Sequence, residues 1–199
     1  MTMSADERLF GPPGDPSRHL ALDELEVRMG ALPTAARDAG RVALVVRRRV
    51  DKARESPARV ALRPATGVPG DAWRRGPNAN PEAELTVMQM DVAALIANGQ
   101  PLTVFGDNLF VELDLSAENL PTGSRVRVGR AVLEVTAKAH NGCHKFAARF
   151  GQDALRLVSK RELRHRNLRG IYMRVIEPGD VVVGDPIEVL SRADVARPG

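Results

Sequence analysis

Apolar positions along the chain recur mainly at every second residue or in short unbroken runs, and Gly, Pro, Asn or Asp separates one run from the next. That punctuation predicts many short strands joined by turns. The clearest case spans 125–136. Val126 and Val128 alternate with Arg125 and Arg127, Gly129-Arg130 supplies a turn, and Ala131, Leu133 and Val135 alternate with Val132, Glu134 and Thr136. This is a hairpin with one face in a core. The run Val42 to Val46 predicts a buried strand over 41–50. Further strands are expected at 58–62, 85–90, 101–105, 108–113, 171–176 and 187–190, with glycine-rich turns at 178–180 and 184–186.

Helical spacing is rarer. Leu22, Leu25, Met29 and Leu32 mark one face of a short helix within 19–36, which Pro33 ends. A second helix is expected over 91–98, with Asp91 as N-cap and Gly99 just past its end. A third is expected over 152–164, on Leu155, Val158 and Leu163. Residues 1–18 carry Gly11, Pro12, Pro13, Gly14 and Pro16 and predict an extended, poorly ordered leader. Residues 64–81 hold four prolines and three glycines and predict a long loop, a length usually kept for function. The fold class is mainly β with a few helices, a barrel or folded sheet and not a parallel α/β sheet.

At 199 residues the chain suits one domain: a leader and short helix over 1–40, the domain itself over 41–191 and a tail over 192–199. A single cysteine excludes an internal disulfide. The first ten residues carry Asp6, Glu7 and Arg8 and no apolar h-region, and the longest uncharged stretch, 92–106, is interrupted by Asn98, Gly99 and Pro101. The expectation is a cytoplasmic protein with no membrane span. The net charge of +4 is modest, and aromatic residues are only 4% of the chain. A nucleic-acid reader would pair its basic runs, Arg47-Arg48-Arg49 and the 160–169 stretch, with stacking aromatics, so a phosphate-bearing small molecule is the better match.

Candidate chemistry centres on Cys143. It follows the turn signal Asn141-Gly142, which predicts a thiol presented on a loop, and His140, His144 and Lys145 beside it are expected to favour the thiolate. The other reading of a lone cysteine is a small buried hydrophobe. His140 and His144 stand four apart, as zinc ligands on a helix do, but Asn141-Gly142 argues against a helix there. The loop 67–76 combines Asp71, the only tryptophan, Trp73, and Arg74, a set able to clamp a flat anion or simply to anchor a surface loop. Arg164, Arg166, Arg169 and Arg174 form a second basic group. Asp71, Asp107, Asp180 and Asp185 each follow a glycine, where the usual role is to satisfy turn backbone.

Six segments in order resemble the successive motifs of the MOSC domain, the molybdenum cofactor sulfurase C-terminal domain. They are Gly67-Val68-Pro69-Gly70-Asp71; Gly106-Asp107-Asn108-Leu109; Leu113-Asp114-Leu115 with 120–126; 131–136 with Cys143; Arg169-Gly170-Ile171-Tyr172; and Gly179 with Gly184-Asp185-Pro186. The match runs from about Arg41 to Leu190. The resemblance implies a MOSC-type β-barrel and, as ligand, the molybdenum cofactor (molybdopterin) or its sulfurated form. It implies that Cys143 is the molybdenum ligand and the catalytic residue, and that Lys145, Arg149, Arg169, Arg174, Asp71, Trp73, Arg74 and Asn108 line the cofactor site. The implied activity is an oxidoreductase acting on small N-hydroxylated or N/S-oxide substrates with a separate electron donor. Alternatives are a metal-free sulfur carrier using a Cys143 persulfide, served by a sulfur donor, and a non-catalytic nucleic-acid module. Two features depart from the family. Trp73 stands where many relatives carry histidine, and the amino-terminal barrel region of the amidoxime-reducing relatives has no counterpart, so their substrate pocket does not carry over.

Overall fold

The computed structural model describes residues 11–74 and 79–194, with Arg74 as backbone only. Seven strands close into a barrel: β1 (Ala39–Val45), β5 (Leu85–Gln89), β6 (Leu109–Val111), β7 (Arg125–Val128), β8 (Ala131–Val135), β9 (Ile171–Glu177) and β11 (Pro186–Ser191). Around the wall the order is β1-β11-β7-β8-β9-β5-β6, and β6 pairs back onto β1. Among the described residues only β5 and β6 run parallel; the crossover between them carries the helix α2 (Met90–Ala97). Two small hairpin-like pairs lie outside the barrel: β2 (Arg47–Arg48) with β3 (Arg54–Glu55), and β4 (Arg59–Leu62) with β10 (Gly179–Val182).

The expected hairpin is β7–β8, in register Val126 opposite Leu133 and Val128 opposite Ala131. Val126, Val128, Leu133 and Val135 point into the barrel with Val42, Val45, Leu85, Val87, Leu109, Val111 and Met173. Arg125 and Arg127 point outward. The barrel interior is therefore a packed apolar core, not a channel. A second core lies outside the wall, beneath α1 (Leu22–Gly30), α2, α3 (His144–Phe150) and α4 (Gln152–Ser159). It holds Leu25, Met29, Met88, Ile96, Phe110 and Leu157, and four phenylalanines pack there, with the Phe105 and Phe150 rings stacked at 4.0 Å.

Several expectations change. The first helix is only nine residues, Leu22–Gly30, and buries Leu25 and Met29. The leader falls partly outside the described residues. From Gly11 onward it is held, with a 3-10 turn at Pro16–Arg18 capped by Asp15 and the Asp15 N–H donating to Gln100 Oε1 at 2.7 Å. The apolar stretch 101–105 is a 3-10 helix, Leu102–Val104, because Val104 and Phe105 face the helical core instead of a neighbouring strand. Helix α2 begins one residue early, with Gln89 as N-cap, and Asp91 accepts from the adjacent Val92 N–H. The helix expected at 152–164 ends at Ser159, where Lys160 turns extended and a 3-10 helix, Arg161–Arg166, takes over. Gly179-Asp180 is not a turn but the start of β10. A Cβ on Gly179 would lie 2.3 Å from the Arg130 carbonyl carbon, so its bare backbone lets the strand pass the β7–β8 turn. The loop 64–81 contains 3-10 turns at Ala72–Arg74 and Pro81–Ala83. Among the described residues no helix is long and apolar enough to cross a membrane.

Candidate functional site

Thr86 and Tyr172, on the outward-facing sides of β5 and β9, border a cavity of about 310 Å³. Its wall gathers parts far apart in sequence: Arg48 of β2, Lys52 and Arg54 from the β2–β3 pair, Trp73, Thr86 of β5, Phe105 to Asp107 just before β6, His140, Lys145 and Arg149 of α3, Arg169, and Tyr172 of β9. Six of these side chains are cationic and one, Asp107, is acidic. The charge balance is that of an anion site.

Asp107 lies beneath the cavity floor with its carboxylate 1% exposed. Arg169 Nη1 donates to its Oδ2 at 2.7 Å, and His140 Nε2 stands 3.7 Å from its Oδ1. Burial works against this charge, but the Arg169 guanidinium outweighs it and holds the carboxyl below the ordinary aspartate range. Asp107 is thus a buried ion-pair partner and not the turn residue its Gly-Asp setting predicts. Arg169 is fixed on two further sides, its Nη1 3.9 Å from Met88 Sδ and its Cζ 5.2 Å from the centre of the Phe146 ring. Gly170 makes this placement possible. Its φ of +91° is left-handed, and a Cβ there would sit 2.3 Å from the Val87 carbonyl oxygen.

His140 packs against Tyr172 with ring centres 4.4 Å apart. Burial, with the Arg169 charge, pushes its pKa down to about 3. It is therefore neutral at pH 7 and supplies no positive charge to the Cys143 thiol, contrary to the expectation from their spacing. Its Nδ1 is buried and has no hydrogen-bond partner among the described residues. Burial, with Asp107 and Cys143 adding to it, raises the Tyr172 phenol above its ordinary value, so it keeps its proton.

Cys143 is exposed and is the N-cap residue of α3, its carbonyl accepting from the Phe146 and Ala147 N–H groups. It is presented at a helix start instead of a free loop, and it is not a buried filler. It stands outside the cavity wall, but its charge acts on both Arg149 and Tyr172. Arg149 is the cation coupled to this sulfur. Burial and the Arg169 charge lower it from the usual arginine value, and Cys143 and Asp107 pull it back up. Arg149 Nη1 also donates to the Phe105 carbonyl at 3.2 Å. Lys145 and Arg149, four apart on α3, line the same cavity. His144 is exposed, and among the described residues no cluster of three or more His, Cys, Asp or Glu forms a metal-binding group.

Of the residues expected at a ligand site, Lys145, Arg149, Arg169 and Trp73 line the cavity. Asp71 and Asn108 stand one layer behind. Asp71 accepts from Arg48 through Nη2 at 2.7 Å and through the Arg48 backbone N–H at 2.7 Å. It also accepts from the Trp73 N–H at 2.9 Å and from Asn108 Nδ2 at 3.2 Å. Asn108 Oδ1 accepts from Thr86 Oγ1 at 3.0 Å, tying Arg48 to β5. Arg174 is not brought to the cavity. It shares the outer face of β9 with Tyr172 but lies two residues further along the strand, where its Nε donates to Glu134 Oε1 on β8 at 3.0 Å. The side chain of Arg74 lies outside what the structure describes. Sequence reasoning missed Arg48, Lys52, Arg54 and Asp107. The Arg47-Arg48-Arg49 run was a visible signal, but nothing local marks which of the three turns inward: Arg47 and Arg49 both pair with Glu55.

A family model, "MOSC domain", matches residues 68–188. The chain is similar to the uncharacterised protein YflK of Bacillus subtilis, 34% identical over 90 residues, which is 45% of this chain and only 38% of YflK. In fold it is similar to the crystal structure of YuaD from Bacillus subtilis, with TM-score 0.59 and 19% identity over 78% of this chain and 98% of that one. YiiM from Escherichia coli is also similar, with TM-score 0.54 and 22% identity over 78% of this chain and 72% of YiiM.

Proposed function

Because this chain belongs to the MOSC domain family, we propose that its cationic cavity binds the molybdenum cofactor, with Cys143, at the head of the helix that supplies Lys145 and Arg149, as the thiolate ligand. The observation that carries this reading is the wall of six cations around one neutralised carboxylate, with the sole thiol at the head of the helix that supplies two of the six. The residues fit the group. Its phosphate needs cationic donors such as Lys52, Arg54, Lys145 and Arg149, its flat heterocycle needs edge contacts, and Phe105, Tyr172 and Trp73 are in the wall to provide them. A soft thiolate is a suitable molybdenum donor.

When bound, the cofactor would supply two-electron transfer of an oxygen or sulfur atom. The chain's own residues would do the rest. Arg149, on the helix that Cys143 caps, would supply a cation to the bound group. Arg169, held by Asp107, contributes fixed positive charge without rearrangement. Tyr172, whose phenol keeps its proton, has an O–H to donate toward an oxygen leaving the substrate. Small N-hydroxylated or N/S-oxide compounds are the proposed substrates, and an electron donor must accompany them. The test is to purify the chain from a host that makes the cofactor and to measure molybdenum and pterin. Near-stoichiometric amounts are expected, and absence of both would overturn the proposal.

The exposure of Cys143 favours one second reading, a persulfide carrier. Here the Cys143 thiolate attacks the outer sulfur of a donor persulfide, forms Cys143–S–SH and releases the donor thiolate. Mass spectrometry after incubation with a persulfide donor should show one added sulfur, lost in Cys143→Ser; no added sulfur would remove this reading.

A further inference from the structure

Residues 11–19, which precede the first long helix, run against two of the cavity's cations, Arg54 and Arg149. At Arg54 the contact is with the charged head. A Cβ on Gly11 would lie 3.0 Å from Arg54 Nη2, and a Cβ on Gly106 would lie 3.1 Å from both Nη2 and Nε. Two glycines, at left-handed φ of +83° and +76°, thus leave no room for a side chain beside this guanidinium. Its Nη1 donates to the Lys52 carbonyl at 2.9 Å, which holds it on its own hairpin.

At Arg149 the contact is with the backbone. A Cβ on Gly14 would lie 2.0 Å from the Arg149 carbonyl oxygen, so the segment crosses the last turn of α3 with nothing between the two main chains. The same carbonyl accepts from Gln100 Nε2 at 3.2 Å, and His19 Nε2 stands 3.1 Å from it. Gln100 is also the residue that accepts from the Asp15 N–H, and the Arg18 carbonyl accepts from Asn98 Nδ2 at 3.1 Å. The segment is therefore fastened to the end of α2 and to the end of α3 together.

Long cationic side chains lose rotamer freedom when they grip an anion, and a cation already held in place has less to lose. We propose that residues 11–19 are a positioning strap for the anion cavity, Gly11 confining the Arg54 head and Gly14 the Arg149 end of α3, so that docking of the strap and binding of an anion reinforce each other. The strap lies outside the residues that match the family model, 68–188. The inference rests on the cavity being an anion site, whichever anion fills it, and the molybdenum content of the protein decides the cofactor reading separately.

The probe is pyrophosphate, a polyanion with acceptors only. Calorimetric titration of the full chain should show Gly11→Ala and Gly14→Ala each binding it about five- to tenfold more weakly than the wild type, up to the worth of one charge-assisted hydrogen bond. In an Arg54→Ala background, Gly11→Ala should change the affinity by less than about twofold, because the head it displaces is gone. If the wild type binds and both variants match it within about twofold, the anion-site reading stands and this inference falls. An undiminished effect of Gly11→Ala in the Arg54→Ala background would make the strap merely structural and also overturn it. If the wild type binds no pyrophosphate, the anion-site reading and the inference fall together. Hydrogen exchange of the Asp15 amide in the wild type needs no variant. By reciprocity, saturating pyrophosphate should slow it about fivefold or more, and an unchanged rate would overturn the inference.

Discussion

Replacing His140 by phenylalanine should remove a defined part of the protein's acid sensitivity. In the folded chain this ring takes up a proton only near pH 3, whereas an exposed histidine does so near 6.5. Below 6.5 the unfolded chain therefore binds a proton that the folded chain refuses, and stability falls with pH. The contribution of the neutral ring is complete above pH 6.5 and is lost progressively toward pH 3. The slope is about 1.4 kcal/mol per pH unit, so roughly 2 kcal/mol should disappear between pH 6.5 and pH 5. Asp107 does not confuse this window. Its carboxyl is held below the ordinary range, and its contribution is lost only at more acid pH. Glu84, raised by burial, acts with the opposite sign, gaining stability as pH falls, and is common to both proteins. Urea unfolding of wild type and His140→Phe at pH 8, 6.5 and 5 isolates the effect. The stability difference between them should shift by about 2 kcal/mol in favour of the variant on going to pH 5. A difference that stays constant across the three pH values would refute a buried, neutral His140.

Two further substitutions test how the site is held. Arg169→Leu strands the Asp107 carboxylate, 1% exposed, without its cation, and should cost about 3–5 kcal/mol in denaturant unfolding; a loss under about 1 kcal/mol would mean that the pair does not hold the cavity floor. Gly170→Ala places a Cβ 2.3 Å from the Val87 carbonyl oxygen at a left-handed φ of +91°, so a loss of about 2 kcal/mol or more is expected in the same assay, and an unchanged midpoint would contradict the close approach.

The barrel was legible where side chains alternate cleanly. Val126, Val128, Leu133 and Val135 announce both the hairpin and its inward face, since strand period two and one-sided burial coincide there. Legibility failed where tertiary packing overrode local pattern. The run 101–105 reads as a strand, but Val104 and Phe105 are apolar for the sake of the helical core. Gly179 reads as a turn residue but is small so that β10 can pass Arg130. The same split divides the site. Lys145 and Arg149 come from the family resemblance around Cys143, and both line the cavity. Arg48 and Asp107 are not legible as a pair, because 59 residues separate them in the chain and only barrel closure brings them together. Arg174 shows the converse: its place in a basic cluster of the sequence does not reveal that it pairs across strands with Glu134, two residues along β9 from the cavity-lining Tyr172.

The central claim, that Cys143 and the cationic cavity form one cofactor site, is tested most directly by the molybdenum and pterin content of wild type beside Cys143→Ser, both purified from a cofactor-producing host. Cys143 is exposed and serine is a good N-cap residue, so the variant should match the wild type in stability to within about 0.5 kcal/mol. The account predicts molybdenum and pterin in the wild type and loss of molybdenum in the folded variant. Equal molybdenum in both proteins would contradict it.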